Sequence, residues 1–173
     1  MLTDKIYLVG FMAAGKTTVA RALAARLQWR AEDVDELIEA RERRPVADIF
    51  AKQGEAYFRS AERDILRLLL PLRHVVVATG GGTFMEPENR TAINIDGVSV
   101  WLDVPFDELV ARIPNDGRRP LAADRVTMER LFALRTTAYS AAHVRISASG
   151  LRAEEVAERI VETLGNRRLP TND

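Results

Sequence analysis

The chain has no cysteine. Disulfides, thiolate metal centres and cysteine nucleophiles are therefore excluded, and the composition suits a reducing compartment such as the cytoplasm. It also lacks any excess of charge. Lys and Arg together number 25 and so do Asp and Glu, giving a formal net charge of zero over 173 residues. General nucleic-acid binders and proteins that sit on acidic membranes carry a basic excess, so no nucleic-acid or membrane partner is expected. No apolar run approaches the ~20 residues of a membrane span. Met1-Leu2-Thr3-Asp4-Lys5 has none of the basic-then-apolar layout of a secretion signal. Nor is there an internal repeat, a low-complexity stretch or a shift in composition. The expectation is a soluble, cytoplasmic monomer with one domain over 1–173, long enough to bury its own core.

What is present begins with Gly10-Phe11-Met12-Ala13-Ala14-Gly15-Lys16-Thr17, which fits G-x-x-x-x-G-K-[ST] at every fixed position. In such a loop successive backbone N–H groups turn inward to cradle phosphate oxygens, and the following helix adds the positive end of its dipole. Lys16 is expected on the outer phosphates and the Thr17 hydroxyl on Mg²⁺. The context agrees: Ile6-Tyr7-Leu8-Val9 reads as a buried parallel strand, and Val19, Leu23 and Leu27 give one face of a helix. The expected ligand is a nucleotide phosphate.

Further along, Asp33 and Asp35 share a side if their segment is extended, near the end of a second strand. In open parallel sheets that end faces the ligand crevice. The alternative is that Asp35 only caps a helix over Glu36 to Arg44. A short helix opening at Pro45 is expected to stop at Gly54. From Glu55 to Leu70 a longer helix carries Phe58, Ile65, Leu66 and Leu69 on its apolar face, with Glu62 among them and Arg59 in reach of both Glu55 and Glu62. Either Glu62 orients Arg59 toward an anion or the two form an ordinary surface ion pair.

His74 to Thr79 is the clearest buried strand and runs into Gly80-Gly81-Gly82-Thr83. Three glycines there allow close backbone approach to a ligand and torsions that other residues resist; a loose turn is the plainer alternative. A short helix over Asn89 to Ile95 and strands at Val98–Leu102 and Val144–Ile146 follow. Pro114 to Asp124 has turn chemistry, no periodicity and two arginines, Arg118 and Arg119, which suits a lid over polyphosphate or a solvated loop. From Thr127, Met128, Leu131, Phe132 and Arg135 share a helix face, with Tyr139 one turn on. Arg135 within an apolar stripe needs a partner, either an internal carboxylate or a bound anion. Arg152 to Leu164 is an amphipathic helix, and Asn166 to Asp173 is expected to fray. His74 and His143 are given no chemical role. Alternating strands and helices predict a three-layer α/β sandwich on a five-stranded parallel sheet.

Taken together, GFMAAGKTT, Asp33-x-Asp35, Phe58-Arg59 with Glu62, Gly80-Gly81-Gly82, Arg119-Pro120-Leu121, and Arg135 with Tyr139 resemble the shikimate kinase family of small P-loop kinases. The resemblance spans nearly the whole chain. It implies transfer of the ATP γ-phosphoryl group to the 3-hydroxyl of shikimate, a step of aromatic amino-acid biosynthesis, with ATP and Mg²⁺. It implies Lys16, Asp35 and Arg119 as catalytic residues, and a mobile lid near 114–124. ATP would contact Gly10, Ala13, Ala14, Gly15, Lys16, Thr17, Thr18, Arg112 and Arg119. Shikimate would meet Asp35, Arg59, Gly80, Gly81, Gly82 and Arg135, with the two arginines on its carboxylate. Thr17 would ligate Mg²⁺ directly and Asp33 through water. Three positions depart from the family pattern. Ala13 stands where glycine is usual and restricts the loop. Pro120-Leu121-Ala122 replaces Pro-Leu-Leu. Ile146-Ser147-Ala148 replaces an Asp/Asn-Thr step near the adenine. Two other readings compete: a kinase of the same architecture for another polyol acid such as gluconate or for a cyclitol, and a nucleotide-binding protein that lost catalysis. Paired arginines argue against a neutral cyclitol, and the presence of Lys16, Asp35 and Arg119 argues against lost catalysis.

Overall fold

Strands of a parallel sheet that are covered on both faces must be apolar at every position, not at alternate ones. Two of the five strands are covered in this way, with Lys5 the one charged exception. In the computed structural model, which describes residues 3–113 and 124–166, β1 (Lys5–Val9) and β3 (Val75–Ala78) are buried at every residue. They are joined by β2 (Arg30–Asp33), β4 (Val98–Asp103) and β5 (Val144–Ser147) in the order β2-β3-β1-β4-β5, all parallel. The edge strands are less covered, and β5 alternates buried and exposed residues. The expected three-layer α/β architecture with five strands is the one observed.

Helices α1 (Lys16–Leu27), α2 (Val34–Glu42), α3 (Val46–Leu69), α4 (Pro87–Asp96), α5 (Phe106–Arg112), α6 (Arg125–Tyr139) and α7 (Ala153–Asn166) complete the fold. The apolar face of α1 expected from Val19 and Leu23 is buried, and α1 packs against α7. One continuous cluster of apolar side chains fills the interior. A short 3₁₀ turn at Thr83–Met85, unmarked in the sequence, closes the three-glycine segment. Gly54 ends the short helix that opens after Pro45, as expected, and a kink there joins it to the longer helix, so that α3 is two helical pieces in one run. At the kink Gly54 has φ 80° and ψ 174°, a left-handed torsion that glycine adopts without the Cβ penalty. The segment 114–123, which holds Arg118 and Arg119 and nearly all of the expected lid, lies outside the described residues, as does the tail from 167.

Two element boundaries matter for the site. Helix α2 begins at Val34, two residues before the expected start, and its cap is Asp33, whose Oδ1 accepts from the Glu36 backbone N–H at 3.1 Å. Asp35 therefore sits in the first turn and the capping alternative for it falls away. The second boundary is at Lys5, which the sequence alone assigns to no strand. It is the first residue of β1 and has no solvent exposure. Its ammonium donates to the Leu69 and Leu70 carbonyls at 2.9 and 2.8 Å and to Asp96 Oδ2 at 2.6 Å, matching three donors with three acceptors. The Tyr7 hydroxyl donates to the same Asp96 oxygen at 2.5 Å. Burial, reinforced by Asp96, keeps that phenol protonated. This polar knot ties the end of α3 and the end of α4 to the start of β1.

Candidate active site

The loop after β1 takes three positive-φ torsions that L-residues resist, and glycine stands at two of them. Gly10 has φ 146°, and a Cβ there would lie 2.9 Å from the Leu102 carbonyl oxygen. Gly15 has φ 89° and precedes α1 without a side chain to cap it. The first-turn N–H groups of α1 are thus not met by a side chain of the cap residue, which is the arrangement that receives an anion. Lys16 lies across the loop, its ammonium donating to the Gly10 and Phe11 carbonyl oxygens at 2.8 Å each. Ala14 is buried, its N–H donating to the Phe11 carbonyl at 3.3 Å, while Thr18 is exposed on the first turn.

Ala13 adopts φ 62°, a left-handed conformation in a residue with a Cβ. Such a torsion costs about 1–2 kcal/mol in an L-residue. Glycine would avoid that penalty but lose about 0.4–1 kcal/mol more in chain entropy on folding. Ala13→Gly is accordingly expected to stabilise the protein by about 0.5–1 kcal/mol in urea unfolding. A loss of stability would mean that the loop is not strained at this position.

Beside the loop, Thr17 Oγ1 donates to Asp33 Oδ2 at 2.5 Å, which joins the start of α1 to the end of β2. The three-glycine segment follows β3, adjacent to both β1 and β2 in the sheet, and is surrounded by the remaining candidate residues. None of the three glycines has a left-handed φ, so special torsion is not their reason; Gly82, for example, has φ −101°. Their reason is space. A Cβ on Gly80 would lie 2.5 Å from Glu62 Oε1 and 2.9 Å from Asp35 Oδ1; on Gly81, 3.0 Å from Arg135 Nη1; on Gly82, 2.4–2.6 Å from the Arg59 guanidinium. Each glycine makes room for a different charged side chain, and the segment is where Asp35, Arg59, Glu62 and Arg135 meet.

The two arginines are held differently. Arg59 donates to Glu62 Oε2 at 2.5 Å and to Glu55 Oε1 at 3.1 Å. Burial works against its charge, but the two carboxylates more than offset this and the guanidinium holds its proton more firmly than usual. Glu62 is itself fully buried on α3, where its other oxygen accepts from the Thr83 hydroxyl at 2.7 Å. The surface ion-pair alternative therefore fails on burial. Arg135 is 4% exposed, and among the described residues it has no carboxylate within salt-bridge distance. Its Cζ sits 5.6 Å from the centre of the Phe11 ring. Burial, the largest influence, and the like charge of Arg59 lower its affinity for its proton, and Tyr139 partly compensates. The Tyr139 hydroxyl donates to the Gly81 carbonyl at 2.5 Å, fastening α6 to the glycine segment.

Arg112 is not drawn into this group. It pairs with Glu108, which also accepts from the Ser149 hydroxyl at 2.7 Å and the Gly150 N–H at 3.2 Å, binding the end of α5 to the turn after β5. Arg119 lies outside the described residues. Sequence reasoning gave no part to Thr83 or to the Phe11 ring. Thr83 directly follows the glycines, so its position was a usable signal; Phe11 occupies a variable loop position and offered none.

The glycine segment, with Arg59 and Arg135 beside Asp35 and Glu62, thus adjoins the Gly10–Thr17 loop at the carboxyl ends of β1, β2 and β3. Such a pair of subsites suits a nucleotide and a small anionic acceptor. The family model described as shikimate kinase matches residues 12–165. A shikimate kinase of Persephonella marina is 38% identical over 157 residues, covering 90% of this chain and 96% of that protein. One of Thermosynechococcus vestitus is 42% identical over 164 residues, covering 92% and 88%. The solved structure of shikimate kinase from Acinetobacter baumannii in complex with shikimate superposes with a TM-score of 0.93 at 33% identity, covering 98% of this chain and 97% of that one. The chain belongs to the shikimate kinase family.

Proposed function

We propose that this chain transfers the γ-phosphoryl group of ATP to the 3-hydroxyl of shikimate, giving shikimate 3-phosphate for aromatic amino-acid biosynthesis, and that it does so in the cleft over Gly80–Gly82. The observation that carries this reading is the pair of guanidinium groups over neighbouring glycines, one of which, Arg135, is deeply buried with no salt-bridging carboxylate among the described residues. Two forked cations at one spot fit a carboxylate in bidentate fashion, which a lysine cannot copy. Asp35, whose carboxylate lies by Gly80, receives the attacking hydroxyl. It orients that oxygen and takes its proton as the bond to phosphorus forms. Phosphoryl transfer passes through a loose transition state, so positioning and charge neutralisation supply most of the acceleration and Asp35 need not be a strong base.

On the nucleotide side, Gly10, Ala13, Ala14, Gly15, Thr17 and Thr18 line the phosphates, and Lys16 with Arg119 stabilises charge on the group in transit. Arg112 stands against adenine. Thr17 Oγ1 and Asp33 Oδ2, 2.5 Å apart, are hard oxygen donors that fit Mg²⁺, which keeps several waters and takes only one or two protein oxygens beside phosphate. The ion would neutralise the β- and γ-phosphate oxygens. Among the described residues there is no larger acidic cluster that could hold a metal and no helix long and apolar enough to cross a membrane. A cytoplasmic monomer acting on a small molecule, without nucleic-acid or membrane partners, is consistent with a balanced charge of zero.

The test is ADP release by the purified protein with shikimate, quinate and gluconate side by side. Turnover with shikimate far above the other two is expected; comparable turnover with gluconate would transfer the assignment to another polyol acid, and none with any acceptor would favour a non-catalytic nucleotide binder. A second test uses the glycines. Gly82→Ala places a methyl group where the Arg59 guanidinium lies. That group is the end of a side chain, so Arg59 should be displaced rather than the backbone; the same Nη1 donates to buried Glu62, so some stability should be lost with it. The shikimate KM should rise about tenfold and the ATP KM little, since a displaced charge-assisted contact is worth about 1.5 kcal/mol or more. An unchanged shikimate KM would remove Arg59 from the acceptor site.

A further inference from the structure

Phe11 occupies the first variable position of the phosphate loop, where the loop's own chemistry asks only for a backbone. Its ring is nonetheless 2% exposed and engaged on two sides by α6. Phe132 meets it edge-on at 5.3 Å between centroids and 85° between planes, and the Arg135 guanidinium lies over it at 5.6 Å. Phe132 and Arg135 are three residues apart and so share one helix face. Phe132 is backed in turn by Phe106 of α5 at 5.4 Å. Behind the ring, the Met12 backbone nitrogen is 3.5 Å from where a Cβ of Gly81 would stand. The phosphate loop therefore packs on the glycine segment and presents an aromatic face to a cation that has no carboxylate of its own among the described residues.

We infer that Phe11 is a positioning residue for Arg135, so that the nucleotide loop supplies part of the floor of the acceptor's carboxylate site. A ring face attracts a guanidinium through its quadrupole without neutralising it, and this attraction is strongest where water is excluded. Glu62 holds Arg59 by consuming part of its charge; Phe11 holds Arg135 while leaving its charge for the ligand. This inference rests on the reading that Arg135 binds the shikimate carboxylate.

The experiment replaces Phe11 with phenylalanines bearing one, two and three ring fluorines, which drain the ring face of negative charge at nearly constant shape. The shikimate KM is expected to climb with each fluorine, reaching about three- to tenfold at the third, with the melting temperature and the ATP KM nearly level. In an Arg135→Met background the same series should be flat, because the partner is gone. Phe11→Leu, which keeps an apolar side chain without a ring, should match or exceed the trifluoro value; if it folds poorly, the fluorine series still decides. A flat series with Arg135 present overturns the inference, as does a slope that persists in the Arg135→Met background, which would mean packing alone. Either result leaves the arginine reading standing if Arg135→Met by itself raises the shikimate KM. If Arg135→Met does not, that reading fails and the inference with it.

Discussion

Lys16→Ala is expected to lower kcat by about 10²–10³-fold at saturating ATP and shikimate, the usual loss when one preorganised donor to a developing charge is removed. The ammonium bridges the Gly10 and Phe11 carbonyls at the mouth of the loop. From there it is within a side chain's swing of any phosphate cradled by the first turn of α1, and the charge it would neutralise grows as the phosphoryl group leaves ADP. The two hydrogen bonds to the loop are worth about 1 kcal/mol each to the fold, so the variant should remain folded, and a circular dichroism melt will separate lost chemistry from lost structure. Turnover within tenfold of the parent would remove Lys16 from the transition state and leave it as a brace for the loop.

Replacing either arginine of the cleft should raise the shikimate KM about ten- to hundredfold, because each charge-assisted contact is worth roughly 1.5–3 kcal/mol. Their effects on stability should diverge. Arg59→Met strips the buried Glu62 carboxylate of its cation, leaving only the Thr83 hydroxyl among the described residues, and breaking a buried pair from one side costs about 3 kcal/mol or more. Arg135→Met removes a buried cation that has no salt-bridging carboxylate among the described residues, and stability should hold or rise by about 1 kcal/mol. The measurements are urea unfolding and shikimate KM on both variants, with the ATP KM as control. Early melting with normal shikimate affinity would make the arginines structural and take away the physical basis of the substrate assignment. A shikimate analogue with an amide for the carboxylate should bind the parent poorly, and both variants should discriminate less between acid and amide.

A similar contrast holds for what could be read from the chain before its fold was known. Gly10, Gly15 and Lys16 are legible in sequence because the demand on them is local: a turn, a helix start and a cation within one eight-residue loop. The strands at Ile6–Val9 and Val75–Ala78 are legible because coverage on both faces writes itself as an unbroken apolar run. The same holds for the apolar faces of α1, α6 and α7, whose spacing follows from 3.6 residues per turn. Hence the architecture and the phosphate loop followed from periodicity and one motif. The family resemblance then extended expectation to Asp35, Arg59 and Arg135.

Only the tertiary structure decided how those side chains are held. Whether Glu62 is a surface partner or a buried anchor depends on the packing of α3 against the glycine segment and the 3₁₀ turn, which lie some twenty residues away in sequence. The glycines at 80–82 suggested torsional freedom, yet their backbone angles are ordinary and their purpose is to leave room for four charged groups from α2, α3 and α6. Asp33 became the cap of α2, and Asp35 a residue of its first turn, because the strand ended where its pairing with β3 ended. Lys5 gave no sign of burial, since a lysine at a chain start is normally solvated; it is buried because the ends of α3 and α4 bring it exactly as many acceptors as it has protons to donate. Phe11 under Arg135 is the same lesson at the site itself. The chain determines local geometry and apolar pattern through short-range sterics and hydration. The partnership of charges set far apart in sequence is decided by which surfaces the sheet brings together.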